Sequence, residues 1–477
     1  MQRLLLVLLV AVSYLLFAGG LPWTLVPLLA ISAGGALLTP GRTFGLRPPW
    51  RPLDLALVAL VAAIVVQIIP LPASIVAWLS PHRDGIANAI RLARFGEPPS
   101  AWSTLSVDPM ATVVALTTVV LGVVTFWTAR AAFSAGGSTR SFCRALTLLG
   151  LIAAAAAVLQ KAVSPRSVLF LIEPGVASAS PFGAFVNRNH FGAWLLMVAA
   201  PVFGYFVARA KIHPLRRDRW SGSLGQIMSS GILFTAITVM VIVGVLLLTL
   251  SRSALIGLGV AAVVAWRLGQ PRMKRERTNL PARLGMAGAL LLIVMLFVDV
   301  DRWATRVAES LDPAATPLSR LTIWQESIPI TRDFLLTGTG AGTFSDAMIV
   351  YQESRVWVGS MRRWAHFNNA HSHYLQVLCE GGLLLLVPSF WALGALALLG
   401  YRAVRSDKGE MYWVRVGAAA GLAGLAAQSI WEISLIMPAN AVMAGVLGGL
   451  LLNRRERPEA APMGSEPMTP PARIKMA

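Results

Sequence analysis

Apolar runs separated by polar connections recur along the whole chain. Twelve read as membrane spans, at 4–20, 22–40, 53–72, 111–129, 145–163, 189–208, 228–250, 254–267, 284–300, 373–400, 413–431 and 434–452. Most have the ~17–25 residues that a helix needs to cross a hydrocarbon core of about 30 Å. Backbone groups in lipid must find partners within their own segment, so the spans are predicted as helices; a barrel would show short alternating segments instead. The first run has one Arg and no clear small-residue cleavage site. It leads into a second apolar run, and it is expected to stay as an uncleaved span.

Composition sharpens this picture. The chain has 477 residues, 56% hydrophobic and 13% charged, with a mean hydropathy of +0.66. Such values exclude a soluble domain and give an all-α polytopic membrane protein. The net charge of +19 would suit nucleic acid if it were clustered on a surface. It sits instead in alternate connections: three Lys and Arg in "GRTFGLRPPWR", five in "ARAKIHPLRRDR", six in "RLGQPRMKRERTNLPAR", three in "YRAVRSDK" and five after 452. Lys and Arg mark cytoplasmic connections. The expected topology therefore has both termini in the cytoplasm, and nucleic acid is not an expected partner. Two cysteines make no disulfide framework, and the topology puts Cys143 and Cys379 on opposite sides of the membrane.

Three sizeable pieces face outward in this map: 73–110, 164–188 and a loop over 301–372. The last has seven Arg against seven Asp and Glu, and is too long for a simple connection. It holds helical patches ("SRLTIWQESIPITRDF") and a glycine-rich turn. The expected organisation is one transmembrane domain over 1–452, its outward loop carrying part of the site, and a disordered cytoplasmic tail over 453–477. No internal repeat is visible.

Polar residues gather near the outward face. "LTLSRSAL" pins Arg252 in a short turn, either as an interfacial snorkel or as an anion clamp. "GAFVNRNHFGAW" puts Asn187, Arg188, Asn189 and His190 at a span start, where one Asn would suffice as a cap. Arg320 and Trp324 are four apart and share a helix face. Gly338–Gly342 would wrap a phosphate or form a tight turn; without a following Lys the turn is favoured. In "NNAHSHYLQVLCEGG", a helix from Ser372 onward would turn His371 toward Leu375 and Leu378, and His373 toward Gln376 and Glu380. The two histidines then diverge, and neither has metal-ligand spacing with a Cys or carboxylate. A neutral imidazole near the surface remains, able to accept or steer a proton. Outward arginines beside it suit a ligand with a lipid tail and a pyrophosphate head.

At these residues the chain resembles the O-antigen ligase and polymerase superfamily of bacterial envelope glycosyltransferases. The family's His motif, H-[NSQ]-x9-G-x-x-[TS], reads here as His371, Ser372, nine residues, Gly382, with Leu385 at the last position. "SRSA", "FVNRNHFGAW" and the "R-x-x-x-W…G-x-G-x-G-x-F" loop are also similar. The likeness covers most of 180–400.

The resemblance implies a GT-C-like fold of about twelve transmembrane helices in the bacterial inner membrane, with a large, partly helical periplasmic loop between the ninth and tenth. It implies a glycosyltransferase using an undecaprenyl-pyrophosphate-linked glycan at the periplasmic face, without cofactor or metal. The acceptor would be lipid A–core in a ligase, a second lipid-linked glycan in a polymerase, or a protein hydroxyl. Arg252 would hold the pyrophosphate with Arg188 and Arg320 assisting, and Asn187 and Asn189 would line the site. His371 would position or activate the acceptor hydroxyl, with His373 and Glu380 as a second pair. Direct attack would invert the anomeric centre. A lipid-glycan transporter is the non-enzyme alternative, but charge near the midplane and repeated halves, which transporters favour, are not evident.

Overall fold

A computed structural model describes residues 2–38, 50–93, 101–134, 138–175, 179–212, 231–276, 320–355, 357–358 and 363–453. Helices stand at eleven of the twelve expected spans: α1 (Gln2–Leu15), α2 (Leu25–Leu37), α3 (Arg51–Ile68), α6 (Pro109–Ser134), α7 (Ser138–Val163), α8 (Arg188–Ile212), α9 (Ile232–Leu248), α10 (Arg252–Glu276), α13 (His373–Ser406), α14 (Tyr412–Gln428) and α15 (Pro438–Leu452). Between them lie α4 (Ala73–Leu79), α5 (Arg83–Ala93), α11 (Arg320–Asp333) and α12 (Phe344–Tyr351). Two short hairpins join β1 (Leu71–Pro72) to β2 (Trp102–Ser103), and β3 (Trp357–Val358) to β4 (Arg363–Trp364). Six of the described helices are long and apolar enough to cross a membrane. The expected span 284–300, the first part of the large loop and the tail beyond Asn453 lie outside the described residues.

The bundle is built around α8, whose residues Phe191 to Ala199 are almost wholly buried. It packs against α14, α9 and α7, while α14 also meets α10. Small residues let these backbones approach: a Cβ on Gly417 would fall 2.3 Å from the Ala200 carbonyl, and one on Gly257 would fall 2.7 Å from that of Gly424. A bidentate ion pair, Arg130 to Asp54 at 2.9 and 3.2 Å, is buried between α6 and α3. Trp127 donates to the same carboxylate, and Arg130 lies over the rings of Trp50 and Phe126, so both charges are compensated. Cys143 and Cys379 are free, buried thiols.

A second core, of Ile86, Ile90, Val107, Ile323, Ile330, Phe334, Phe344, Met348, Phe367 and Cys379, lies under the large loop. The segment after α3 and the loop thus form one cap seated on the start of α13. Gln67 ties it down. Its buried amide donates to the carbonyls of Thr337 and Glu380, at 2.8 and 2.9 Å, and accepts from the Ala341 N–H at 3.0 Å.

The tenth expected span is one run in the sequence but not a regular helix. Gly382 sits inside α13 at φ +52°, ψ −151°, which breaks the helix. The N–H groups of Leu383 and Leu384 then donate to the carbonyls of Leu335 and Leu336, at 2.8 and 3.1 Å. The break docks the loop onto the span. The expected helical facing of His371 also needs correction. Ser372 is the N-cap and the helix begins at His373, while His371 has φ +49°, left-handed backbone that a non-glycine residue adopts at a cost. That conformation, not helical periodicity, sets the direction of the ring.

Candidate active site

Asn187 fulfils the capping role: its Oδ1 accepts the Asn189 N–H at 2.8 Å as α8 begins. This leaves Asn189 and His190, one turn in, to face α14 and the turn after it. That turn holds the centre of the site, Glu432. Its side chain has no solvent exposure, yet it gathers five groups. Asn189 Nδ2 donates to Oε2 at 2.6 Å, and the Ile433 N–H to Oε1 at 3.2 Å. Arg320 Nη2 lies 3.5 Å from Oε2, His190 Nε2 3.6 Å from Oε1, and His371 Nδ1 3.8 Å from Oε1. The two imidazole contacts are longer than hydrogen bonds. One carboxylate thus joins α8, α11, the approach to α13 and the end of α14.

Burial by itself would push the Glu432 carboxyl up. His190 and His371 outweigh it and hold the group well below the usual carboxylate range. A depressed folded-state pKa stabilises the protein above the unfolded value, near 4.5, and that contribution is lost as pH falls toward the folded value. Glu432→Gln should therefore melt below wild type at neutral pH, with the gap narrowing as pH drops below about 4.5. Melting curves in detergent across pH 3–7 check this; a gap independent of pH would show that the charge of Glu432 does not stabilise the fold.

Arg320 begins α11. Four residues on, Trp324 Nε1 donates to the Ala370 carbonyl at 2.8 Å, so the shared face predicted for this pair serves Glu432 and the His371 backbone together. Burial lowers the Arg320 pKa, Glu432 opposes that, and the charge of Arg252 adds to it. Arg252, exposed at the start of α10, is therefore an electrostatic neighbour. Two guanidiniums and one carboxylate leave a positive charge here even with both imidazoles neutral, which favours an anion. Arg188 is within electrostatic reach of Lys161.

The other expected site residues do structural work. Glu380 accepts from the N–H groups of Gly342 and Phe344, at 2.8 and 3.2 Å, and from Gln376 Nε2 at 2.9 Å, so it caps α12. The Gly340 N–H donates to the Glu380 carbonyl at 2.8 Å. The glycine run is thus the tight turn favoured above, and these amides are already committed to α13. His373 donates its backbone N–H to Ser429 at 2.8 Å and buries Nδ1 without a hydrogen bond, so the structure does not pair it with Glu380. Among the described residues, no group of three or more His, Cys, Asp or Glu is placed to hold a metal ion.

His371 and Asn189 were legible as polar residues at span ends and Arg320 as one on a loop helix; Glu432 was missed. Its signal was plain, for it is the only acidic residue between Glu410 and Glu456 and stands in the short "QSIWEIS" turn between two apolar runs.

Fold and site together define a multi-pass helical membrane protein with a charged, histidine-bearing cluster at one end of its bundle. Residues 237–389 match the family described as O-antigen ligase. The likeness to the O-antigen ligase and polymerase superfamily is thereby shown over a stretch that includes Arg252, Arg320, His371 and Glu380 and ends before Glu432. It supports a glycosyl-transferring enzyme of ligase- or polymerase-like glycan biosynthesis in general. No curated protein matches the chain.

Proposed function

We propose that this protein transfers a glycan from undecaprenyl pyrophosphate to an acceptor hydroxyl at the periplasmic face of the inner membrane, as an O-antigen ligase of GT-C-like architecture with cytoplasmic termini. The observation that carries the reading is the Glu432 cluster: an imidazole nitrogen 3.8 Å from a buried carboxylate, beside two guanidiniums with net positive charge.

In this reading Arg252 and Arg320 bind the pyrophosphate, and Arg188 assists at the edge of the site. The acceptor oxygen attacks the anomeric carbon, the bond from that carbon to the pyrophosphate oxygen breaks, and configuration inverts. Pyrophosphate leaves with the electron pair, so the main need is to stabilise its charge. The acceptor proton passes to His371. With Nδ1 toward Glu432, the ring keeps Nε2 for that proton, and the carboxylate stabilises the imidazolium that forms. Asn189 and His190 hold Glu432 in place. No step requires a metal or nucleotide.

A polymerase, using a second lipid-linked glycan as acceptor, is the second reading, favoured by Leu385 where the family motif has Thr or Ser. Leu385 is buried with Ala63, Ile64 and Ala341, a packing position without a hydroxyl.

Gene deletion followed by gel and mass analysis of envelope glycans tests both. Long polymer accumulating on undecaprenyl pyrophosphate, with uncapped lipopolysaccharide, supports a ligase. Accumulating single repeats with loss of long chains supports a polymerase. Complementation with His371→Ala should restore roughly 1% or less of wild-type transfer, since general acid–base groups contribute about 10²–10⁴-fold. Arg252→Ala should fall in a similar range. Full activity of both variants, normally inserted, would sink this site.

A further inference from the structure

The chain reaches His371 through an irregular segment, 365–370, that continues β4 and is held along one side. Gln352 pairs with it much as a neighbouring strand would. Its Nε2 donates to the Ala365 carbonyl at 2.8 Å, and its Oε1 accepts the Phe367 N–H at 2.9 Å. At the far end, the Ala370 carbonyl accepts from Trp324 and its N–H donates to Gln376. Phe367 is buried in the loop core. The alternate side chains, Trp364, His366 and Asn368, are all exposed, Trp364 by 56%. In a fully extended chain, three such alternate side chains would span about 13 Å.

The strip is held rather than loose. Ser345 Oγ hydrogen-bonds His366 Nε2 at 3.1 Å and donates to Asn368 Oδ1 at 3.3 Å. These bonds leave the Asn368 amide N–H groups and His366 Nδ1 for a ligand. Residues 364–371 contain no Asp, Glu, Lys or Arg, while Arg363 stands next to them in β4. A strip of uncharged side chains, one aromatic and the others amide and imidazole, fits an uncharged polyhydroxylated chain. The weakly positive C–H face of a sugar ring lies well against the negative face of an indole, and its hydroxyls suit amide and imidazole partners. Trp78 offers a contrast: it is exposed beside Ile75 on α4, an apolar grouping that suits lipid.

We propose that Trp364, His366 and Asn368 form a carbohydrate-binding strip that leads sugar rings to His371. Its place in catalysis rests on the transfer reading above; its ligand class does not. The sugars come from the acceptor or from the lipid-linked donor, and two probes separate these sources. One is oligosaccharide released by mild acid from the host's lipopolysaccharide; the other is glycan released in the same way from its lipid-linked pool.

Binding of each probe to the full-length protein in nanodiscs, read by saturation-transfer NMR and calorimetry, tests the strip. Wild type should bind at least one probe. Trp364→Ala should weaken that probe about tenfold, Trp364→Phe should restore it to within about twofold, and His366→Ala should weaken it a few-fold. The probe affected names the source. The strip is overturned if neither probe binds, if Trp364→Ala binds both as wild type does, or if brominated lipid quenches fluorescence that Trp364→Phe removes, which would make Trp364 a membrane anchor. Normal binding by Trp364→Ala together with dead His371→Ala would reject the strip and keep the transferase. Trp364-dependent binding with fully active His371→Ala would keep the strip and reject the catalytic site.

Discussion

Glu432→Ala should destabilise the folded protein by about 3–5 kcal/mol, the usual cost of removing one partner from a buried charge cluster. Arg320, His190 and His371 all lie against this carboxylate, and Asn189 donates to it. Deleting it takes the acceptor from the Asn189 amide and the counter-charge from Arg320, and leaves the buried His190 ring beside an emptied volume. Glu432→Gln separates shape from charge. The amide oxygen can still accept from Asn189 or the Ile433 N–H, so the fold should survive with a smaller loss. Transfer should nevertheless fall about 100-fold, because a neutral amide neither fixes the His371 tautomer nor stabilises its protonated form. Surface glycan in a complemented deletion strain, measured beside protein level and melting temperature, reads both effects. A well-folded Glu432→Gln with wild-type activity would reduce Glu432 to a packing role.

The second large effect is expected at Gly382. An added Cβ would stand 2.5 Å from the Leu335 carbonyl oxygen, 2.7 Å from the Leu336 carbonyl carbon and 2.8 Å from the Phe334 oxygen. These are backbone atoms of the docked loop, held by the hydrogen bonds from Leu383 and Leu384, and cannot swing aside as a side chain would. An alanine must also adopt φ +52°, ψ −151°, a region essentially reserved for glycine, at about 1–3 kcal/mol. With overpacking of ~1–3 kcal/mol, Gly382→Ala should cost roughly 2–6 kcal/mol and detach the loop that carries Arg320. Gly394→Ala, in the same helix with nothing within 4 Å of its Cβ, is the control and should stay near wild type. Limited proteolysis across 334–343 and thermal melts discriminate the two. Equal protection of both variants would show that the break at Gly382 does not hold the loop.

Much of the architecture could be read from the chain itself. In lipid a backbone has few options, so apolar length alone located α3, α6, α7, α8 and α13, with each end within seven residues. The polar span ends were legible for the same reason: Asn189, Arg252 and His371 stand out against apolar neighbours. The roles within those groups were not legible. Asn187 and Glu380 have the residue types of a site and prove to cap helices, because which backbone N–H a side chain meets depends on how another segment docks. Gln67 looks like one polar residue in an apolar run, yet it fastens α3 to a loop 270 residues later.

The sequence by itself determined a multi-pass helical membrane protein, the family likeness and the cluster of arginines and histidine at span ends. Only the tertiary structure decided that Glu432 is the hub of that cluster, that α13 breaks at Gly382, and that His371 stands in left-handed backbone outside the helix. Periodicity and hydropathy report how each segment meets its solvent. Convergence of α8, α11, α13 and α14 on one buried carboxylate is a matter of contacts between segments far apart in the chain, and no local pattern encodes it.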